Sequence, residues 1–207
     1  DDIWVQPAAG DAGGSLGAAL LTHYKKKSLI SKKRLFIDRM KGSLLGPEFS
    51  NNHIEKDLRR IGARFIKLDN TKLIRETVNA LTSQKIVGWF QGRMEFGQRA
   101  LGNRSILATP THPDMKNMLN LKIKFRESYR PFACICPEEH LQEYFSHSYQ
   151  APFMTEIFDA LPATKANFPS IVHVDGTCRV QSTSSIYDRF YSDTINELIK
   201  IGHPPLI

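Results

Sequence analysis

From Asn51 onward the chain switches repeatedly between helical and strand-like hydrophobic spacing, and that alternation restricts it to an α/β architecture. Helical spacing runs around 51–60 and from Thr71 to Ser83. Short apolar or alternating runs at 63–68 and Ile86–Gln91 predict strands. A strand near Ser105–Thr109, a helix near Asp114–Lys122, a strand at Pro131–Cys136 and a helix around 138–145 continue the pattern. A loop punctuated by Pro152, Pro162 and Pro169 then leads to a strand pair near 171–182, with Asp175-Gly176 as its turn signal, and to a last helix over about 184–201. The expected result is an α/β domain with a mixed sheet.

The start of the chain reads differently. DDIWVQPAAGDAGGSLGAALLTHYKKK passes from an apolar start through a glycine turn into a small-residue helix, and Lys25 to Lys27 suit a helix C-terminus. Little follows to pack on it. Ser28 to Ser50 is irregular and basic and ends in Leu45-Gly46-Pro47, the signature of a crossing between domains. We therefore expect 1–45 to be the tail of a first domain plus a linker, and 46–207 to be a second domain. Ile201-Gly202-His203-Pro204-Pro205-Leu206-Ile207 reads as a helix stop followed by the first residues of a strand, so the chain is expected to be cut there.

Composition narrows the function classes. With 41% hydrophobic residues in 207, a real core is affordable, and a net charge of +7 favours anionic ligands or nucleic acid without bearing on fold. The three cysteines, Cys134, Cys136 and Cys178, are odd in number and lack CxxC spacing, which argues against a disulfide framework and a cysteine zinc site. They read as buried, reduced thiols. No apolar stretch approaches the roughly 20 residues of a membrane span, and no charged start precedes an apolar run, so the expected location is the cytoplasm, with no membrane partner.

The chemistry is concentrated between Gly92 and Phe132. Arg93, Arg99, Arg104, Lys122, Lys124, Arg126 and Arg130 stand there among glycines and short apolar runs, against three acids, Glu95, Asp114 and Glu127. Arginine offers a planar fork that fits phosphate or carboxylate oxygens two at a time. The glycine-rich part, GRMEFGQRALG, follows an apolar strand, where α/β sheets hold ligands, but matches neither the dinucleotide fingerprint nor the Walker loop. Its bland alternative is a surface loop whose arginines pair with Glu95 and other acids. In NLKIKFRESYRPF an extended chain aligns Lys122, Lys124 and Arg126, whereas a helix aligns Lys122 with Arg126 and Arg126 with Arg130. Its alternative is a solvated basic face. In HVDGTCRVQ, Arg179 and Gln181 point the same way on a strand and can reach one ligand, though a plain surface hairpin fits as well.

Other chemistries find little support. Asp11 is a metal ligand or a helix N-cap, and on the residues alone the cap needs fewer partners. The seven histidines are scattered, with no HxxH or HExxH pair, and no GxSxG or cysteine–histidine arrangement suggests a nucleophile. Electrostatic positioning is the favoured mode.

Taken in order, GRMEFGQRALGNRSILATP, NLKIKFRESYRPFA, Tyr144-Phe145, Ala151-Pro152-Phe153-Met154 and HVDGTCRVQ resemble the nodulation-type O-carbamoyltransferases across most of 46–207. QPAAGDAGGSLGAAL resembles the end of that family's first domain, an actin-like ATPase-fold unit. The resemblance implies a YrdC-like twisted mixed sheet with flanking helices, preceded by a short helical remnant of the actin-like domain. It implies formation of carbamoyl-adenylate from carbamoyl phosphate and ATP, with Mg²⁺ on the nucleotide, and transfer of the carbamoyl group to a hydroxyl of a sugar or secondary metabolite. Carried over by motif, Lys124 and Arg130 act on the phosphates or adenylate, Arg99 and Arg179 line the same pocket beside Gln181, and Asp11 is one ligand of an Fe²⁺ site. The family's iron-binding histidines precede residue 1 and an Asn-Thr-Ser-Phe-Asn segment follows residue 207, so the chain alone is expected to be inactive. Cys134 and Cys136 replace other small residues of the pattern. Two other classes compete: a YrdC-like RNA- or nucleotide-binding module without transferase activity, disfavoured by few exposed aromatics among the basic residues, and a non-catalytic interaction domain, disfavoured by the intact Lys124, Arg130 and Arg179.

Overall fold

The computed structural model describes residues 5–27, 40–147, 149–184 and 189–207, and shows a mixed α/β protein with small sheets. Asp1 to Trp4, most of the basic stretch after Lys27 and the start of the expected last helix lie outside the described residues. The elements are α1 (Asp11–Lys27), α2 (Asn51–Arg60), α3 (Asn70–Thr82), β1 (Val87–Phe90), β2 (Arg104–Leu107), α4 (Met115–Asn117), β3 (Cys134–Pro137), α5 (Leu141–Tyr144), β4 (Ile157–Asp159), α6 (Pro162–Asn167), β5 (Thr177–Thr183) and α7 (Arg189–Lys200).

β1 and β2 form an antiparallel pair, and the second sheet has the order β3-β5-β4, with β5 parallel to β3 and antiparallel to β4. Side-chain alternation along β3 and β5 divides the interior. Cys134, Cys136, Cys178 and Val180 face one core with Leu141, Phe145 and Phe158. Ile135 faces a second core, where α3 and α7 pack together with Trp89, Leu107, Tyr191, Ile195 and Leu198. Arg179 and Gln181 alternate with Cys178 and Val180, so they point away from the first core.

The helix starts follow sequence chemistry. The Ser50 hydroxyl accepts from the His53 amide ahead of α2, and the Asp69 carboxylate accepts from the Lys72 amide at 2.9 Å ahead of α3. At the other end of the chain Gly202, at φ +78°, closes α7 with its amide on the Ile199 carbonyl while His203 reaches Leu198. Ile207 then exchanges two backbone hydrogen bonds with Ile135, which places the expected strand-like end beside β3.

Three expectations are corrected. Residues 63–68 form a connector, with Ile66 84% exposed, because no strand lies beside them among the described residues. Instead of a strand pair over 171–182 there is one strand, β5. It leaves a tight turn in which Asp175 caps Thr177, and its antiparallel partner is β4, inside the proline-punctuated loop. The strand expected at Pro131–Cys136 begins at Cys134, because the residues before it follow the turn that ends the basic block. α1 is largely exposed, with Leu21 57% accessible.

Candidate functional site

The loop from Gly92 to Asn103 is built around Glu95. Its side chain is buried, and one carboxylate oxygen accepts from the amides of Leu101 (2.7 Å), Asn103 (2.8 Å) and Arg104 (3.2 Å). The arginines here do not pair with Glu95, although Arg93 does pair with another acid, Glu48. Arg104 donates to the carbonyls of Gln91, Asn103 and Gly92 and lies 3.5 Å from the Phe90 ring centroid, so its charge serves the turn. Arg93 holds Gly46 O and Glu48. Against this loop lie the N-terminal segment and the residues around Gly46: Gln98 donates to Ala9 O, a Cβ at Gly97 would meet that of Ala8 at 2.9 Å, and Gly46 N donates to Met94 O.

The second basic segment follows neither expected geometry. After α4 the chain widens into a π-helix, Met118–Lys124, which ends at Phe125 in the left-handed region (φ 49°, ψ 51°). Asn120, buried and unnoticed in the sequence, closes the turn. Its amide donates to Ser128 O and Arg130 O, while its oxygen accepts from Arg126 Nε at 2.6 Å. An asparagine at an apolar helical position was the available signal.

Together these loops and β5 enclose a cavity of about 450 Å³, within the usual size of small-ligand sites. Arg99, Lys124, Arg126 and Arg179 line it, joined by Lys116, which sequence reasoning overlooked. No Asp or Glu side chain lines it among the described residues. Arg99 donates to Met154 O, a carbonyl presented by a residue at φ 53°, and its Nε has no partner among the described residues; neither does Nε of Arg179. Burial first, then the charges of Arg99 and Arg126, hold the Arg179 guanidinium below its usual range. Burial and Arg130 do the same to Arg126 more than Glu127 offsets. Converging cations without a counter-charge form a site for an anion.

Of the other expected site residues, Arg130 is on the surface, paired with Glu127 at 2.8 Å and outside the cavity lining, and Lys122 is exposed. Gln181 points towards a smaller chamber adjoining the cavity, its Nε2 on Leu101 O at 2.9 Å. Asp11 stands exposed inside the first turn of α1 rather than at the capping position, after Gly10 at φ +145°. No group of three His, Cys, Asp or Glu side chains among the described residues is placed to hold a metal ion. No helix among them is long and apolar enough to cross a membrane.

A family model described as carbamoyltransferase C-terminus matches residues 78–207. Among curated proteins the chain is similar to uncharacterized protein sll1178 of Synechocystis, at 39% identity over 87% of this chain and 33% of that protein. It is 36% identical to nodulation protein NolO of Bradyrhizobium diazoefficiens over its whole length and 38% of the relative. For nodulation protein NolNO of Sinorhizobium fredii the identity is 34%, again over the whole chain and 30% of the relative. The chain thus spans about a third of the length of these relatives.

Proposed function

The chain belongs to the carbamoyltransferase family, and on that premise we propose that its cationic cavity is the nucleotide site of an ATP-dependent O-carbamoyltransferase that works through carbamoyl-adenylate. The observation that carries this reading is the convergence of Arg99, Lys124, Arg126 and Arg179 on one cavity whose described lining holds no Asp or Glu side chain. The YrdC-like fold of the second domain and the actin-like origin of α1 belong to the same proposal.

In the proposed reaction, hydrolysis of carbamoyl phosphate gives carbamate and phosphate. A carbamate oxygen attacks the α-phosphorus of ATP, the new O–P bond replaces the bond to pyrophosphate, and pyrophosphate leaves. The acceptor hydroxyl then attacks the carbamoyl carbon, loses its proton, and AMP departs. Negative charge grows on the nonbridging α-oxygens and on pyrophosphate in the first step. Fixed guanidinium and ammonium groups stabilise it without reorganising. The role expected of Arg130 requires its guanidinium to leave Glu127 and turn inward, a rotation that breaks only an exposed ion pair.

The donor set bears on the metals. Mg²⁺ would be carried by phosphate oxygens, since no Asp or Glu side chain lines the cavity among the described residues. For Fe²⁺, Asp11 has no companion ligands among those residues, so the side chains present do not fit an iron site and no step is routed through one.

Calorimetric titration with ATP tests the proposal. Lys124→Ala and Arg179→Met should each weaken binding by about tenfold or more, as expected for lost hydrogen bonds to a charged ligand, while Arg93→Ala should not. Absence of ATP binding, or equal effects from all three substitutions, would sink it. One observation favours a second reading, RNA binding: Phe125 (84%) and Tyr129 (69%) are exposed beside Lys122, Lys124 and Arg130, contrary to the expectation of few exposed aromatics there. RNA affinity that falls linearly on a log–log salt plot, and that Phe125→Ala weakens, would support it.

A further inference from the structure

The loop that carries Arg99 has no regular structure of its own, so its course is set by what holds it. Beyond Arg99, Glu95 gathers the amides of Leu101, Asn103 and Arg104. Ahead of Arg99, the segment 43–47 runs alongside 94–96. Gly46 N donates to Met94 O at 2.9 Å, Met94 N to Pro47 O at 3.0 Å and Phe96 N to Ser43 O at 2.6 Å. Ser43 completes the clasp, its hydroxyl donating to Phe96 O at 2.8 Å from a fully buried position.

The backbone at Ser43 is strained. Lys41, Gly42 and Ser43 lie consecutively in the left-handed region, at φ 50°, 65° and 70°. The other described non-glycine residues with positive φ, Gln84, Phe125 and Met154, stand singly. Glycine adopts that conformation freely, whereas serine does so against its Cβ. What serine adds over glycine at this position is the hydroxyl, and the bond it donates goes to Phe96. Strained residues of this kind persist where surrounding contacts over-determine them, and they cluster at functional sites.

We propose that Ser43 is a positioning residue for the cavity: by fixing Phe96 it sets where Arg99, three residues on, presents its guanidinium to an anion. Between the Phe96 clasp and the Leu101 amide only 97–100 remain to find a path, and they are crowded from outside. Gln98 donates to Ala9 O at 3.1 Å, and a Cβ on Gly97 would meet that of Ala8 at 2.9 Å. At its tip Arg99 gives one nitrogen, Nη1, to Met154 O, which leaves the rest of the guanidinium to be aimed by the backbone. Resting on the reading of the cavity as an anion site, this role holds whether or not that anion is a nucleotide. An anion gripping Arg99 tightens the clasp in return, since coupling between two sites is reciprocal.

The test is calorimetric titration of tripolyphosphate into the chain and into Ser43→Gly, which relieves the backbone while removing the hydroxyl. Ser43→Gly should weaken the affinity by about fivefold or more. Two backgrounds complete the cycle. With Arg99→Met the Ser43→Gly effect should shrink to within about twofold, whereas with Arg179→Met it should persist in full. A loosening of the whole fold would act equally in both. Unchanged affinity in Ser43→Gly, or equal losses in the two backgrounds, overturns the assignment. Ser43→Cys, which keeps the shape with a weaker donor, should show the same background dependence and takes the place of Ser43→Gly should that variant not fold. Tripolyphosphate binding without ATP binding removes the nucleotide reading and leaves Ser43 to be judged by the cycle. If neither binds, both readings fall together.

Discussion

Glu95 shows how one side chain can carry a loop. Its oxygen satisfies three backbone amides, so Glu95→Ala should cost about 3 kcal/mol in urea unfolding, and Glu95→Gln, which keeps an acceptor, should recover most of that. A sequence offers arginines as this acid's partners only as an alternative, because charge is visible there and backbone amides are not. The cations illustrate the same limit. Lys124, Arg126 and Arg179 line the cavity, whereas Arg104, from the same basic block, turns its charge on carbonyl oxygens. His173 adds a pH dependence. Its Nδ1 meets Thr177 while Nε2 is buried without a partner among the described residues, and burial lowers its pKa from 6.5, as Arg179 and Lys116 do more weakly against Asp175. A lowered pKa means that the unfolded chain binds this proton more readily, so stability is full above about pH 6.5 and falls as pH drops through that value towards the folded pKa. His173→Phe should flatten the fall in a series of denaturation curves taken across that range.

Among the elements, the π-helix and its end at Phe125 were the least legible. The sequence offered either an extended face or an α-helical one, and the chain adopts a wider turn that brings Lys124 and Arg126 to the cavity around Asn120. A left-handed backbone costs an ordinary residue roughly 1–2 kcal/mol, and the Phe125 ring is exposed. Phe125→Gly should therefore leave stability unchanged or raise it by up to about 1 kcal/mol, and a large loss on unfolding would show that the ring packs on something. β4 escaped notice for a different reason: three residues between prolines carry too short an alternation to read, and only their pairing with β5 defines them. Conversely α2, α3, β1 and β2 were legible to within a residue or two, since their periodicity and caps are local.

For the molecule as a whole, the cavity separates cost from use: like charges converge there, and among the described residues no Asp or Glu side chain lines it, Glu127 offsetting Arg126 only in part. An anion should accordingly stabilise the chain, with tripolyphosphate at 100 times its dissociation constant adding about 2.7 kcal/mol, and the gain should shrink in 1 M salt. Arg179→Met should unfold no earlier than the unaltered chain without ligand and gain less from the anion, which thermal melts with and without tripolyphosphate would show. The three buried cysteines of the other core give that ladder a clock. Burial pushes the Cys178 thiol up to about 12 and the Cys134 and Cys136 thiols well above their usual range, so at neutral pH none of them alkylates while the strands stay paired. The rate at which iodoacetamide consumes them counts openings of β3 from β5. Because Cys178 and Arg179 are adjacent on one strand, a ligand gripping the arginine slows the clock that the cysteine keeps.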